Sequence, residues 1–92
     1  MALLIKSNGT TKEIEPRNGV CVSLVELQKY VDGYIEPIFL NNGQLLVVNE
    51  EGGLYDYPQN EKATQIAIEH HALFKGDHIA GDVVFCDEAE VQ

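Results

Sequence analysis

The densest collection of groups able to hold a ligand lies in the stretch Val47-Val48-Asn49-Glu50-Glu51-Gly52-Gly53-Leu54-Tyr55-Asp56-Tyr57-Pro58-Gln59-Asn60. Asn49 offers a carboxamide and Glu50 a carboxylate to polar edges. Gly52 and Gly53 let backbone amides come close to a bound molecule. Tyr55 and Tyr57 alternate onto one side of an extended segment, where a ring can stack on a flat group and a hydroxyl can meet its rim. Arg17 or Lys62 would meet a phosphate, Lys62 from the first turn of a helix whose N-terminus favours anions. The plain alternative is an irregular turn whose tyrosines cover the core beneath it, and both readings stand on the sequence.

Other chemistry is thinner. Glu50 and Glu51 are adjacent, so on an extended chain they point to opposite sides and do not face one bond as a glycosidase pair must. His70 and His71 are neighbours about 100° apart on a helix. The His-x-x-x-His spacing of a helical zinc site is absent. His78 with Asp77 or Cys86 matches no standard zinc pattern either. Cys21 and Cys86 lack an activating His or a cationic helix start, and no CxxC is present. They read as reduced, buried small hydrophobes. There is no nucleophile elbow, phosphate loop or dinucleotide fingerprint. The reading leans away from an enzyme and expects no cofactor and no metal.

Charge narrows the partners. Fifteen acids against six Lys and Arg give a net charge of −9, and the bases are scattered along the chain. A phosphate backbone is gripped by clustered Lys and Arg, so nucleic acid is not an expected partner. The acidic balance suits docking onto a basic protein surface. Met-Ala-Leu-Leu-Ile-Lys has neither the charged start nor the apolar length of a signal peptide. No segment approaches the ~20 apolar residues of a membrane helix. The expected location is the cytoplasm.

These groups need elements to position them. Ala2 to Lys6 reads as a strand, Ser7-Asn8-Gly9-Thr10 as a tight turn, and Thr10 to Glu15 as a charged edge strand. Ser23-Leu24-Val25-Glu26 is a capping box. Leu24, Leu27 and Val31 then form one helical stripe, which Asp32-Gly33 ends, with Gly33 in the left-handed position. Tyr34 to Leu40 is a strand whose Pro37 argues for an edge or a bulge. Asn41-Asn42-Gly43-Gln44 is a hairpin turn. Leu45-Leu46-Val47-Val48, apolar throughout, is a central strand buried on both faces. Asn60 caps a second helix with Ala63, Ile66, Ala67, His70 and Phe74 on one face, closed by Lys75-Gly76. Ile79 to Cys86 is the last strand, with Gly81 at a close backbone approach.

The order ββαββαβ predicts an α+β fold, a mainly antiparallel sheet of about five strands with two helices on one face. Residues 1–86 form a single domain, and 87–92 an acidic, frayed tail. At 92 residues the core is modest, and a homo-oligomer would enlarge it.

Leu27-Gln28, Gly33-Tyr34-Ile35-Glu36, Val48-Asn49-Glu50-Glu51-Gly52, Pro58-x-Asn60-x-x-Ala63-Thr64 and Ile79-x-Gly81-Asp82-Val83-Val84 occur in that order. This ordered set resembles a family of small proteins described only as a domain of unknown function. The family is seen in phages, mobile elements and their bacterial hosts. The resemblance implies a phage or mobile-element accessory protein and carries over no catalytic residue. The leading expectation is non-enzymatic capture of a small polar, nucleotide-like ligand, such as a host defence signal. It would be held by Asn49, Glu50, Gly52, Gly53, Tyr55 and Tyr57, with Lys62 or Arg17 at a phosphate. The alternative is an acidic interaction protein that blocks a host protein by covering a basic surface.

Overall fold

The computed structural model describes residues 2–15, 23–51, 57–72 and 78–90. Strand β1 (Ala2–Ile5) turns through Asn8-Gly9 into β2 (Thr11–Ile14). The turn closes with the Lys6 amide on the Thr10 carbonyl at 2.8 Å and the Thr10 amide on Asn8 Oδ1 at 2.9 Å. Helix α1 (Leu24–Val31) starts at the expected capping box, where Ser23 and Glu26 bond each other's backbone amides at 3.3 Å. Strands β3 (Ile35–Phe39) and β4 (Gln44–Asn49) form the second hairpin. Helix α2 (Glu61–Glu69) and strand β5 (Val83–Asp87) follow, with a 3-10 turn over Glu88–Glu90.

The five strands make one antiparallel sheet in the order β2-β1-β5-β4-β3. With two helices in the sequence ββαββαβ, this is an α+β fold. β2 and β3 lie at the edges and β4 is internal, as their residues require. The Glu50 amide bonds the Tyr34 carbonyl and the Leu40 amide bonds the Gln44 carbonyl, so even-numbered residues of β3 face β4. Pro37 therefore turns its nitrogen, which has no hydrogen, to the open edge, where no ladder bond is lost.

The two helices do not share a face. Leu45 and Val47 of β4, Leu4 of β1 and Val84 and Cys86 of β5 pack with Leu27 and Val31 of α1. The alternate residues Leu46, Val48, Ile5 and Val83 pack with Ala63 and Ala67 of α2. Successive strand residues point to opposite sides, so α1 covers one side of the sheet and α2 the other. The cause is the unbroken apolar run in β4 and the Val83-Val84 pair in β5. Two helices on one face, as the sequence suggested, would leave half of those side chains in water, at about 25 cal/mol per Å².

Other boundaries move as well. Leu24 is half exposed, outside the stripe expected of it. Asp32, not Gly33, takes the left-handed position at the end of α1 (φ 63°, ψ 42°). Helix α2 stops at Glu69, well before Lys75-Gly76. There the His71 amide bonds the Ile68 carbonyl at 3.1 Å and the Ala72 amide the Ala67 carbonyl at 2.8 Å, with His71 left-handed at φ 57°. This is the paired closure of a Schellman motif; Phe74, Lys75 and Gly76 lie outside the described residues. The ring of His70 meets Asn41 Oδ1 at 2.7 Å, tying this end to the β3–β4 turn. The last regular strand begins at Val83 rather than Ile79. The domain also runs past Cys86: Asp87 pairs with Gln44, and the Glu88 amide bonds the Gly43 carbonyl at 3.0 Å.

Candidate functional site

A cleft opens where the end of α1 meets the two chain segments that lead into α2 and β5. Those segments pair with each other. Gln59 bridges Ala80, the Gly81 amide donates to the Pro58 carbonyl at 2.8 Å, and the Asn60 amide donates to the Ile79 carbonyl at 2.7 Å. Gly81 has φ 83°, and a Cβ there would lie 3.6 Å from Cβ and Cγ of Tyr57. The tyrosine thus lies against bare backbone. Its Oη donates to Asp32 Oδ2 at 3.2 Å, crossing to the end of α1.

Asn60 fixes this frame from below. It is fully buried. Its Nδ2 donates to the carbonyls of Ile5 and Gly81, each at 2.9 Å, and its Oδ1 accepts the Ala63 amide at 3.1 Å. Thr64 completes the joint, donating its hydroxyl to the Asn60 carbonyl at 2.7 Å and accepting the Ile79 amide at 2.8 Å. One carboxamide and one hydroxyl thus lock β1, the start of α2 and the approach to β5 together.

The cleft measures about 420 Å³, and Ser7, Lys29, Tyr30, Asp32, Tyr57 and Asp82 are among the residues that line it. That volume lies within the range of small-molecule sites. Asp82 Oδ1 accepts the Ser7 amide at 2.9 Å, which steadies one wall. Lys29 is exposed, and no hydrogen bond or ion pair engages it among the described residues. Among the described lining residues, Lys29 can meet a negative charge, while the carboxylates of Asp32 and Asp82 accept from hydroxyls and amines. Two tyrosines add ring faces and hydroxyl tips. Among the described residues, no group of three His, Cys, Asp or Glu side chains could hold a metal ion. No helix of the described residues is long and apolar enough to cross a membrane.

A family model described as a domain of unknown function (DUF3846) matches residues 1–91. The chain belongs to this family. No curated protein and no solved structure matches it. In this DUF3846 chain, the residues that carried the resemblance include the joints just described. Gln28 ends α1 by accepting the amides of Asp32 and Gly33, Gly81 backs Tyr57, and Asn60 and Thr64 bind three elements.

Of the residues expected to hold a ligand, Tyr57 lines the cleft. Asn49 is buried, and its carboxamide is engaged within the fold. Its Nδ2 donates to the carbonyls of Val31 at 2.9 Å and Asp32 at 3.3 Å, and its Oδ1 accepts the Glu51 amide at 2.8 Å. Glu50 is exposed beside Tyr34, and Lys62 is exposed on α2; neither lines the cleft. Arg17, Gly52, Gly53 and Tyr55 lie outside the described residues. Ser7, Lys29, Tyr30, Asp32 and Asp82 were not singled out by sequence reasoning. The one available signal was Gly81, which marks a close approach without naming what approaches it.

Proposed function

We propose that this protein binds and sequesters a small polar, nucleotide-like ligand without transforming it. The observation that carries this reading is the cleft beside Tyr57. Aromatic rings, an ammonium unengaged among the described residues and two carboxylates with accepting capacity surround a volume suited to a small molecule. A tyrosine ring stacks on a base, Asp32 and Asp82 accept from sugar hydroxyls or an exocyclic amine, and Lys29 meets a phosphate oxygen. In a phage or mobile element, the setting the resemblance implies, such capture would withdraw a host signal. Native mass spectrometry of the protein purified from its host, under mild and then denaturing conditions, tests the reading. A small molecule released on denaturation is the expected result; a clean apo protein counts against it.

The net charge of −9 favours a second reading, an acidic protein that covers a basic host surface. Binding of that kind weakens steeply with salt. A lysate pull-down that yields no basic partner at low salt would remove it.

A further inference from the structure

The two carboxylates of the Tyr57 cleft are not equivalent. Asp32 is exposed, and its Oδ2 accepts the Tyr57 hydroxyl at 3.2 Å. Asp82 is partly buried, and its Oδ1 accepts the Ser7 amide at 2.9 Å, which holds the carboxylate from the β1–β2 turn. No cation pairs with Asp82 among the described residues. A carboxylate has no proton to give and about four lone-pair positions, so after the Ser7 amide Asp82 still accepts two further donors. Asp82 follows Gly81, whose bare backbone lies against Tyr57. One short stretch of backbone thus sets both the carboxylate and the ring, and both line the cleft.

We propose that the captured ligand carries a guanine base, read by Asp82. This rests on the sequestration reading above and narrows its ligand class. A planar base brings one polar edge to the carboxylate. The edge of guanine has two donors side by side, N1–H and the 2-amino group, so each meets one carboxylate oxygen. Adenine and cytosine place a ring-nitrogen lone pair beside the amino group, and uracil flanks its single N–H with two carbonyls. Each of those acceptors would face an oxygen that cannot donate. The mismatch falls on partly desolvated groups, where an unmatched polar contact is most costly. Guanine itself is uncharged and rich in donors, so the acidic lining favours it. Asp32, which is exposed, is left to accept from a ribose hydroxyl.

The test is equilibrium titration of the full-length protein with the uncharged nucleosides guanosine, inosine, adenosine, cytidine and uridine. Guanosine should bind tightest, about tenfold or more tighter than inosine, which lacks only the 2-amino group. Asp82→Asn keeps an oxygen for the Ser7 amide but puts a donor where the second oxygen was. Asn matches the donor–acceptor pair of adenine, so the preference for guanosine over adenosine should fall about tenfold or more. A merely structural effect would weaken both nucleosides alike and leave that ratio unchanged. Adenosine, cytidine, uridine or inosine binding as tightly as guanosine, or an unchanged ratio in Asp82→Asn, would overturn guanine recognition and leave the sequestration reading standing. Absence of binding by every nucleoside would overturn it too. The native mass spectrum then decides separately whether any small ligand is held.

Discussion

The carboxamide of Asn49 covers the backbone of Gly33 so closely that a Cβ at Gly33 would lie 2.8 Å from Asn49 Nδ2. That nitrogen cannot readily give way, because it is held by the carbonyls of Val31 and Asp32 at the end of α1. Gly33→Ala should therefore destabilise the fold by about 1–3 kcal/mol, the usual cost of overpacking. Asn49→Ala should cost about as much by leaving buried polar groups unpaired. In the double variant the clash is already gone, so the two costs should not add. Urea denaturation of the cycle checks this.

Asn60 distinguishes a buried joint from an ordinary helix cap. At an exposed N-cap, Asn and Asp are equivalent. Here Nδ2 donates to two carbonyls while Oδ1 caps the helix. Asn60→Asp keeps the cap but turns a buried carboxylate toward the carbonyls of Ile5 and Gly81. It should cost at least about 2 kcal/mol, comparable with Asn60→Ala. Thermal melts of the two variants at neutral pH give the comparison, and a neutral Asn60→Asp would refute the role.

His71 ends α2 in the left-handed conformation and is exposed. Glycine enters that conformation without the Cβ penalty, so His71→Gly should stabilise the protein by about 1 kcal/mol. A raised urea midpoint with an unchanged slope is the expected result.

The order of elements was legible because its signals are local. The Ser23–Glu26 box, the Asn60 cap and the two Asn-Gly turns each lie within a few residues of the bonds they make. The apolar run Leu45 to Val48 also signalled burial on both faces. Which helix covers which face depends on where β5 inserts, between β1 and β4, and no local pattern carries that. The site was less legible for the same reason. Tyr57 stood out by type, whereas Asp32 looked like a helix stop and Asp82 like part of a strand. Their meeting depends on the pairing of Tyr57–Asn60 with Ile79–Gly81, which is set by distant contacts. Asn49 illustrates the reverse: a polar residue beside glycines reads as a binding group, yet the fold engages it at a helix end.

Within the cleft, Tyr57→Phe removes only the hydroxyl that meets Asp32. Stability should change by no more than about 1 kcal/mol, while affinity for the cleft ligand should fall several-fold. Lys29→Met should leave the melting temperature nearly unchanged, since Lys29 is exposed and unengaged among the described residues. It should weaken a ligand carrying phosphate about tenfold or more. Calorimetric titration beside thermal melts separates the two effects.

The most direct measurement is an amide-resolved NMR titration of the intact protein with a panel of nucleosides and nucleotides. The account predicts saturable shifts at Ser7, Lys29, Tyr30, Asp32, Tyr57, Gly81 and Asp82, with Lys62 and the β3 edge unmoved. Shifts centred on Lys62 or β3, or no saturable shift with any probe, would contradict a ligand site beside Tyr57.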